Sequence, residues 1–225
     1  MHHILEPAPR QPGDPAATDA LASWLADQGQ PAWRAKAIRR WLIARRASSF
    51  ADMTDLPKGL RTALEGAFRI WTTSIARHHR ADDGTEKLLL ELHDGQRIEC
   101  VLLRDGDRRT VCISSQVGCA MGCVFCASGI DGVVRNLTTG EIVEQLLRLQ
   151  LLLPAEERLS HIVVMGMGEP LANLDRLLPA LATAQDPDGL GISQRRITVS
   201  TVGQDRKSTR LNSSHEWISR MPSSA

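Results

Sequence analysis

Residues 110–126 read Thr110-Val111-Cys112-Ile113-Ser114-Ser115-Gln116-Val117-Gly118-Cys119-Ala120-Met121-Gly122-Cys123-Val124-Phe125-Cys126, a short apolar strand pattern that runs into three cysteines. Thiols at Cys119, Cys123 and Cys126, on a Gly-bearing loop able to wrap a compact object, suit a cubane iron-sulfur cluster that is one ligand short. The shortage decides the chemistry. A cluster with four cysteines only passes electrons, whereas an open iron can bind the amino and carboxylate groups of a substrate and reduce it. A structural zinc knuckle is the competing reading: its fourth ligand would come from Cys112 or Cys100, although zinc sites more often pair two CxxC halves.

Length and composition narrow the setting. A chain of 225 residues with 42% hydrophobic residues can bury a core and holds one large domain or two small ones. No apolar stretch has the length of a membrane span, and Met1-His2-His3-Ile4-Leu5-Glu6 lacks the basic-then-apolar pattern of a secretory signal, so a cytoplasmic location is expected. Five cysteines, three of them in one eight-residue span, fit a metal site in a reducing compartment better than a disulfide framework.

Upstream of the cysteines the pattern is first helical, then strand-like. Residues 1–17, with Pro7, Pro9, Pro12, Gly13 and Pro15, are expected to form a flexible leader. Residues 18–72 are expected to be a small helical RNA-binding domain: a helix from Thr18 through Leu21, Trp24 and Leu25, a second after Pro31 with Trp33, Ala37, Ile38, Trp41 and Leu42 inward, and a third after Leu56-Pro57. The second helix stretch holds Arg34, Lys36, Arg39, Arg40, Arg45 and Arg46 with no acidic residue between them. Such a run is a solvated basic face, or its repulsion is relieved by an anion such as RNA phosphate. Lys87 to Leu92 and Gln96 to Leu103 then alternate around His93-Asp94-Gly95, a hairpin signal, with a second turn at Asp105-Gly106-Asp107.

Downstream, strands alternate with helices. Leu137-Thr138-Thr139-Gly140-Glu141 opens a helix through Ile142, Leu146, Leu149 and Leu152, with Thr138 and Glu141 spaced as a capping box. His161 to Met165 reads as a buried strand, Asn173 to Ala184 as a helix and Arg195 to Ser200 as another strand, so residues 73–204 are expected to form βαβ units on a parallel sheet with a leading hairpin. In such folds reacting groups gather at the carboxyl ends of the strands. Those positions hold the three cysteines, then Gly166-Met167-Gly168-Glu169-Pro170, whose glycines allow close backbone approach and whose Glu169 can accept from an ammonium, then Ser200 and Thr201. Residues 205–225 have no apolar period and resemble the translation of a sequencing-adapter oligonucleotide, so they are read as a non-native tail. The tail carries two net positive charges, Arg206, Lys207, Arg210 and Arg220 against Asp205 and Glu216, leaving −1 on the remainder of a +1 chain. An argument for RNA therefore rests on local patches.

Four ordered segments, Ser114-Ser115-Gln116-Val117-Gly118-Cys119, Arg135-Asn136-Leu137-Thr138-Thr139-Gly140-Glu141-Ile142, Val164-Met165-Gly166-Met167-Gly168-Glu169-Pro170-Leu171 and Arg195-Arg196-Ile197-Thr198-Val199-Ser200, together resemble the RlmN/Cfr family of radical S-adenosylmethionine (SAM) methyltransferases that act on adenine carbons in RNA. The resemblance spans roughly residues 20–203. It implies an α/β fold: a partial radical SAM (β/α) barrel preceded by a small N-terminal helical domain and a β-hairpin segment. It also implies a [4Fe-4S] cluster on Cys119, Cys123 and Cys126, SAM held by Gly168, Glu169 and Ser200, Glu99 as proton acceptor, and Cys112 as the cysteine that helps resolve a protein-RNA adduct. Without the resemblance, Glu99 reads as an exposed strand residue and Cys112 as core packing. Cys100 matches no motif and is left structural.

Closer likeness to the RlmN branch implies methylation of adenine carbon 2 in 23S rRNA and in tRNA, with an electron donor such as flavodoxin and no membrane partner. The family mechanism needs a methyl-carrying cysteine near the C-terminus, and no cysteine follows Cys126, so this polypeptide is expected to be an inactive piece of the enzyme. Two other readings remain: a different radical SAM enzyme, and a zinc-stabilised RNA-binding module without catalysis.

Overall fold

The computed structural model describes residues 2–7, 20–124 and 126–203, and the backbone of 218–220. Thr18, Phe125 and most of the 205–225 segment lie outside the described residues. In chain order the elements are β1 (His2–His3), α1 (Ala20–Asp27), α2 (Trp33–Ile43), α3 (Lys58–Ala67), β2 (Phe68–Arg69), β3 (Ser74–Arg80), β4 (Glu86–Glu91), β5 (Arg97–Asp105), β6 (Arg108–Cys112), β7 (Gln116–Gly118), β8 (Val133–Asn136), α4 (Thr139–Gln150), β9 (His161–Val164), α5 (Leu174–Gln185), β10 (Ile197–Thr201) and β11 (Ile218–Arg220).

The main sheet has the order β11-β10-β9-β6-β5-β4-β3. Strands β6, β9, β10 and β11 pair in parallel, while β3 to β6 form an antiparallel meander continuous with them, so the hairpin expected from sequence is part of the sheet. Its turn stands on Asp94 and on Gly95 at φ 78°, and the Asp94 carboxylate accepts from Gln96 N. Strand β3 was not legible in the pattern because it is exposed along its whole length and shows no alternation. The short ribbon β7–β8 stands apart from the main sheet.

One face of the sheet is dry. Leu88, Leu90, Ile98, Cys100, Leu102, Val111, Ile162, Val164, Ile197 and Val199 join residues of α4 and α5 in a single core that also takes in Leu21, Leu25, Ile38, Leu42 and Leu64 of the N-terminal helices. Helix α4 lies at its centre, and eleven of its twelve residues are buried, Glu141, Glu144, Gln145 and Gln150 included. Buried polar groups must be paired. Glu144 accepts from the backbone N–H and hydroxyl groups of both Thr72 and Thr73 at 2.6–3.0 Å, and from Arg148, whose guanidinium also stacks on Trp71. Glu141 completes the expected capping box with Thr138 and takes both arms of Arg135 at 2.8 Å, and Arg135 reaches on to Asp94 in the β4–β5 turn at 2.6 Å.

The leader expectation needs correction over residues 2–7. His2–His3 pairs with Phe68–Arg69, Ile4 and Leu5 are buried, and Glu6 accepts from Gly140 N at the start of α4. A Cβ at Gly140 would lie 2.6 Å from His3 Cβ, which is why the helix opens with glycine there. The second helix also differs. Ala35, Ile38, Leu42 and Ile43 face inward, while Trp33 is 61% exposed.

Substitution of Thr138 by Ala is expected to cost about 1 kcal/mol of unfolding free energy through loss of the cap. Leu149→Ala, at a fully buried site, should cost about 2–5 kcal/mol. Urea unfolding midpoints check both.

Candidate functional site

The carboxyl ends of the parallel strands β6, β9 and β10 are laced together by side chains. Ser114 N donates to Gln145 Oε1 at 2.8 Å and Gln145 Nε2 donates back to Ser114 O at 3.0 Å, so one amide of α4 grips both backbone groups of the residue just beyond β6. The Ser114 hydroxyl donates to Glu99 O at 2.7 Å and accepts from Met167 N at 2.8 Å, joining β5 to the loop after β9. Gln116 Oε1 accepts from Glu169 N at 2.8 Å. The glycines of the Gly166–Glu169 stretch answer to this closeness: a Cβ at Gly166 would sit 2.6 Å from Ser114 Oγ, and one at Gly168, where φ is 101°, 2.5 Å from Gln116 Cβ.

Glu169 is 3% exposed, and its carboxylate already accepts from Leu171 N at 3.0 Å, Val202 N at 3.2 Å and the Thr201 hydroxyl. It ties the loop after β9 to the end of β10. A carboxylate has about four acceptor positions, so limited capacity remains for an ammonium. Ser200 is half-buried on the opposite side of β10 from Thr201 and Val199.

The cysteine loop is held at its base by the β7–β8 ribbon, where Cys119 N donates to Gly132 O at 2.9 Å. Within it Gly122, at φ 62°, turns the chain, Cys126 N donates to Cys123 O at 3.0 Å, and Gly129 packs back on Gly122. Cys119 is buried and Cys123 and Cys126 are half-buried; all five cysteines are free thiols. Among the described residues no three His, Cys, Asp or Glu side chains converge as a ready-made ion site. The donor set nonetheless fits a three-thiolate cluster: three unpaired thiols on one glycine-hinged loop. Cys100, considered above as a fourth zinc ligand, is 1% exposed in the core on the helix-covered face of β5.

The other face of the sheet carries Leu89, Glu99, Val101, Thr110, Cys112, Val163, Thr198 and Ser200, all half-buried. Register places Cys112 directly across from Val101 and Val163, and Glu99 two residues from Val101 on the same face, so Glu99 and Cys112 are diagonal neighbours about 7–8 Å apart at the backbone. Glu99 pairs with Lys87 Nζ on the adjacent strand at 3.0 Å, a residue that sequence reasoning had not singled out. Burial pushes the Cys112 thiol up from its ordinary value, and a hydrogen bond from the Met165 backbone pulls part of the way back.

The basic run divides. Only Arg34, Lys36, Arg39 and Arg40 belong to α2. Arg46, at φ 56°, turns inward and donates to the carbonyls of Leu153, Pro154 and Glu157. Arg45 stacks on Trp41 and pairs with Asp55 at 3.5 Å, and Lys36 pairs with Asp188 at 2.5 Å. Part of the repulsion read from sequence is thus relieved within the protein.

This arrangement, three parallel strands with a three-cysteine loop after the first and a Gly-Met-Gly-Glu turn after the second, is that of a radical SAM domain. The radical SAM superfamily model matches residues 113–220, and the model described as the ribosomal RNA large subunit methyltransferase N-terminal domain matches residues 16–70. A protein of Rhodopirellula baltica named "Probable dual-specificity RNA methyltransferase RlmN" is 65% identical over 185 residues, covering 82% of this chain and 50% of its own length. One of the same name from Gemmatimonas aurantiaca is 49% identical over 188 residues, covering 84% and 52%. The crystal structure of a radical SAM methyltransferase from Sphaerobacter thermophilus superposes with a TM-score of 0.81 at 41% identity, over 85% of this chain and 57% of that one. The chain belongs to the RlmN family of the radical SAM superfamily, and it spans about half the length of the curated relatives it matches. Superfamily membership implies a [4Fe-4S] cluster and SAM as cofactors.

Burial pushes the Cys100 thiol up to about 12 from 9.0. Above pH 9 the unfolded chain loses this proton while the folded chain keeps it, so stability present below pH 9 falls as pH climbs toward 12, by up to about 4 kcal/mol. Cys100→Ala should flatten that decline in urea titrations run from pH 8 to 11, relative to the unmodified protein.

Proposed function

We propose that this chain is the N-terminal part of a radical SAM methyltransferase that methylates carbon 2 of adenine in 23S rRNA and in tRNA in the cytoplasm, reduced by a flavodoxin-like donor. The observation that carries the reading is the lacing of the loops after β6, β9 and β10 by Ser114, Gln116 and Glu169, which brings the cysteine loop, the glycine turn and β10 to one end of one sheet. Among the described residues no helix is long and apolar enough to cross a membrane.

In this reading Cys119, Cys123 and Cys126 hold the cluster, which when bound supplies the electron that cleaves SAM. Gly168, Glu169 and Ser200 line the place for SAM: Gly168, at φ 101°, turns the chain there, and Ser200 offers a hydroxyl from the half-buried face. Glu99 serves as proton acceptor. Lys87 Nζ, 3.0 Å away on the adjacent strand, pairs with its carboxylate on the open face of the sheet. Cys112, a thiol whose burial favours its protonated form, stands on that same face as the group that resolves the adduct. Residues 18–72 serve as the RNA-handling domain and 73–204 as the radical SAM domain. Buried Glu144 joins the two by gripping Thr72 and Thr73 at their boundary.

Anaerobic reconstitution with iron and sulfide is the test. The expected product is brown, carries about four iron and four sulfide per chain, and gives an EPR signal after dithionite that shifts on adding SAM. Cys123→Ala should lose most of the iron while keeping the circular dichroism spectrum. A colourless protein with stoichiometric zinc would refute the assignment.

A further inference from the structure

A cavity of about 230 Å³ opens on the outer side of α2, lined by Trp33, Lys36, Ala37, Arg40, Trp41, Arg45, Asp55 and Asp188. The Asp188 wall comes from the loop after α5 and the Asp55 wall from the segment before α3, so the groove lies where the helical domain meets the sheet domain. Trp33 is the first residue of α2 and is 61% exposed, although tryptophan is on average a well-buried residue. The Arg34 guanidinium covers one side of that ring at 4.7 Å from its centroid and is not among the lining residues, and no second cation or ring stacks on Trp33 among the described residues. The other indole of the groove is spoken for: Trp41 Nε1 donates to Asp55 Oδ1 at 2.6 Å and its ring carries Arg45 at 4.3 Å. Lys36 and Arg45 are paired with Asp188 and Asp55. Arg40 stands exposed at the rim of the same groove, without a carboxylate partner among the described residues, and is the cation left over for an incoming anion.

We propose that this groove is a nucleotide subsite for single-stranded RNA: one unstacked base lies on the face of Trp33 opposite Arg34, and its phosphate meets Arg40. The occupant follows from the combination. A flat aromatic surface with an adjacent unneutralised guanidinium is the pairing that holds an unstacked nucleotide, the ring supplying stacking to any base and the cation supplying phosphate contact. The volume, below the range typical of drug-sized sites, suits one ring system. Asp55 and Asp188 offer carboxylate oxygens that can accept from the amino edge of a base, so bases with an exocyclic amine should be preferred over uracil. The inference rests on the reading of RNA as substrate given above and adds where the helical domain grips it.

The full chain is titrated with a six-nucleotide single-stranded RNA that carries one 2-aminopurine, whose fluorescence is quenched on stacking. The expected result is saturable quenching by the unaltered protein, at least about fivefold weaker binding by Trp33→Ala, and recovery of most of the affinity by Trp33→Phe. Arg40→Ala should lower the slope of log affinity against log salt by about 0.7, the share of one single-strand phosphate. Trp33 and Arg40 are exposed, so circular dichroism and urea midpoints of the variants should match the parent. If Trp33→Ala and Arg40→Ala both bind the RNA as the parent does, the subsite is refuted while RNA binding stands. If the parent does not bind the RNA at all, the substrate reading falls and the subsite with it.

Discussion

A single side-chain amide sets the geometry of the site. Gln145, fully buried on α4, donates to and accepts from the backbone of Ser114, doing for the chain beyond β6 what a neighbouring strand would do. Leaving those backbone groups unpaired in a dry core would cost on the order of 1–3 kcal/mol for each orphaned group, so the grip has little freedom to loosen. Ser114, once fixed, presents its hydroxyl to Met167 N and Glu99 O, and Gln116 two residues on takes Glu169 N. The loops after β6 and β9 are therefore not independent appendages of their strands. They are one polar layer across the end of the sheet, with Glu169 extending it to β10.

The same helix carries the attachment of the N-terminal half. Glu144 holds Thr72 and Thr73, Arg148 packs its guanidinium on Trp71, and Gly140 receives Glu6 from the first residues of the described chain. Beyond its end, Arg46 of the helical domain grips the carbonyls of Leu153 and Pro154 at 2.9 Å. These hydrogen bonds are directional, so they fix orientation as well as contact. A shift of α4 would carry the attached N-terminal segments with it.

Much of this was legible in the sequence, for reasons that can be named. The capping box of Thr138 and Glu141 is local, and the structure has both of its hydrogen bonds. The parallel order of β6, β9 and β10 follows from alternation of short apolar runs with helical periods. Illegible were the features that depend on distant partners. Glu144 and Gln145 sit between the leucines of α4 and read as solvent-facing in any amphipathic pattern; they are fully buried because Thr72, Thr73 and Ser114 arrive from elsewhere in the chain. The glycines at 166 and 168 were read as allowing close backbone approach to a ligand; their closeness to Ser114 and Gln116, which a Cβ at either would meet at 2.5–2.6 Å, has no local signal. Strand β3 has no pattern to find, since both of its faces are exposed. Arg46 belonged to the basic run on paper, and a left-handed backbone turns it into the protein.

The dependence of the site on the Gln145 grip is tested most directly by amide hydrogen exchange at Ser114, Met167 and Glu169, followed residue by residue. If the polar layer is a cooperative part of the core, these three amides, although they lie in loops, exchange only with the slow set of β6 and β9, and Gln145→Leu speeds all three together. Fast exchange of Met167 and Glu169 in the unaltered protein, at rates typical of surface loops, would contradict the account.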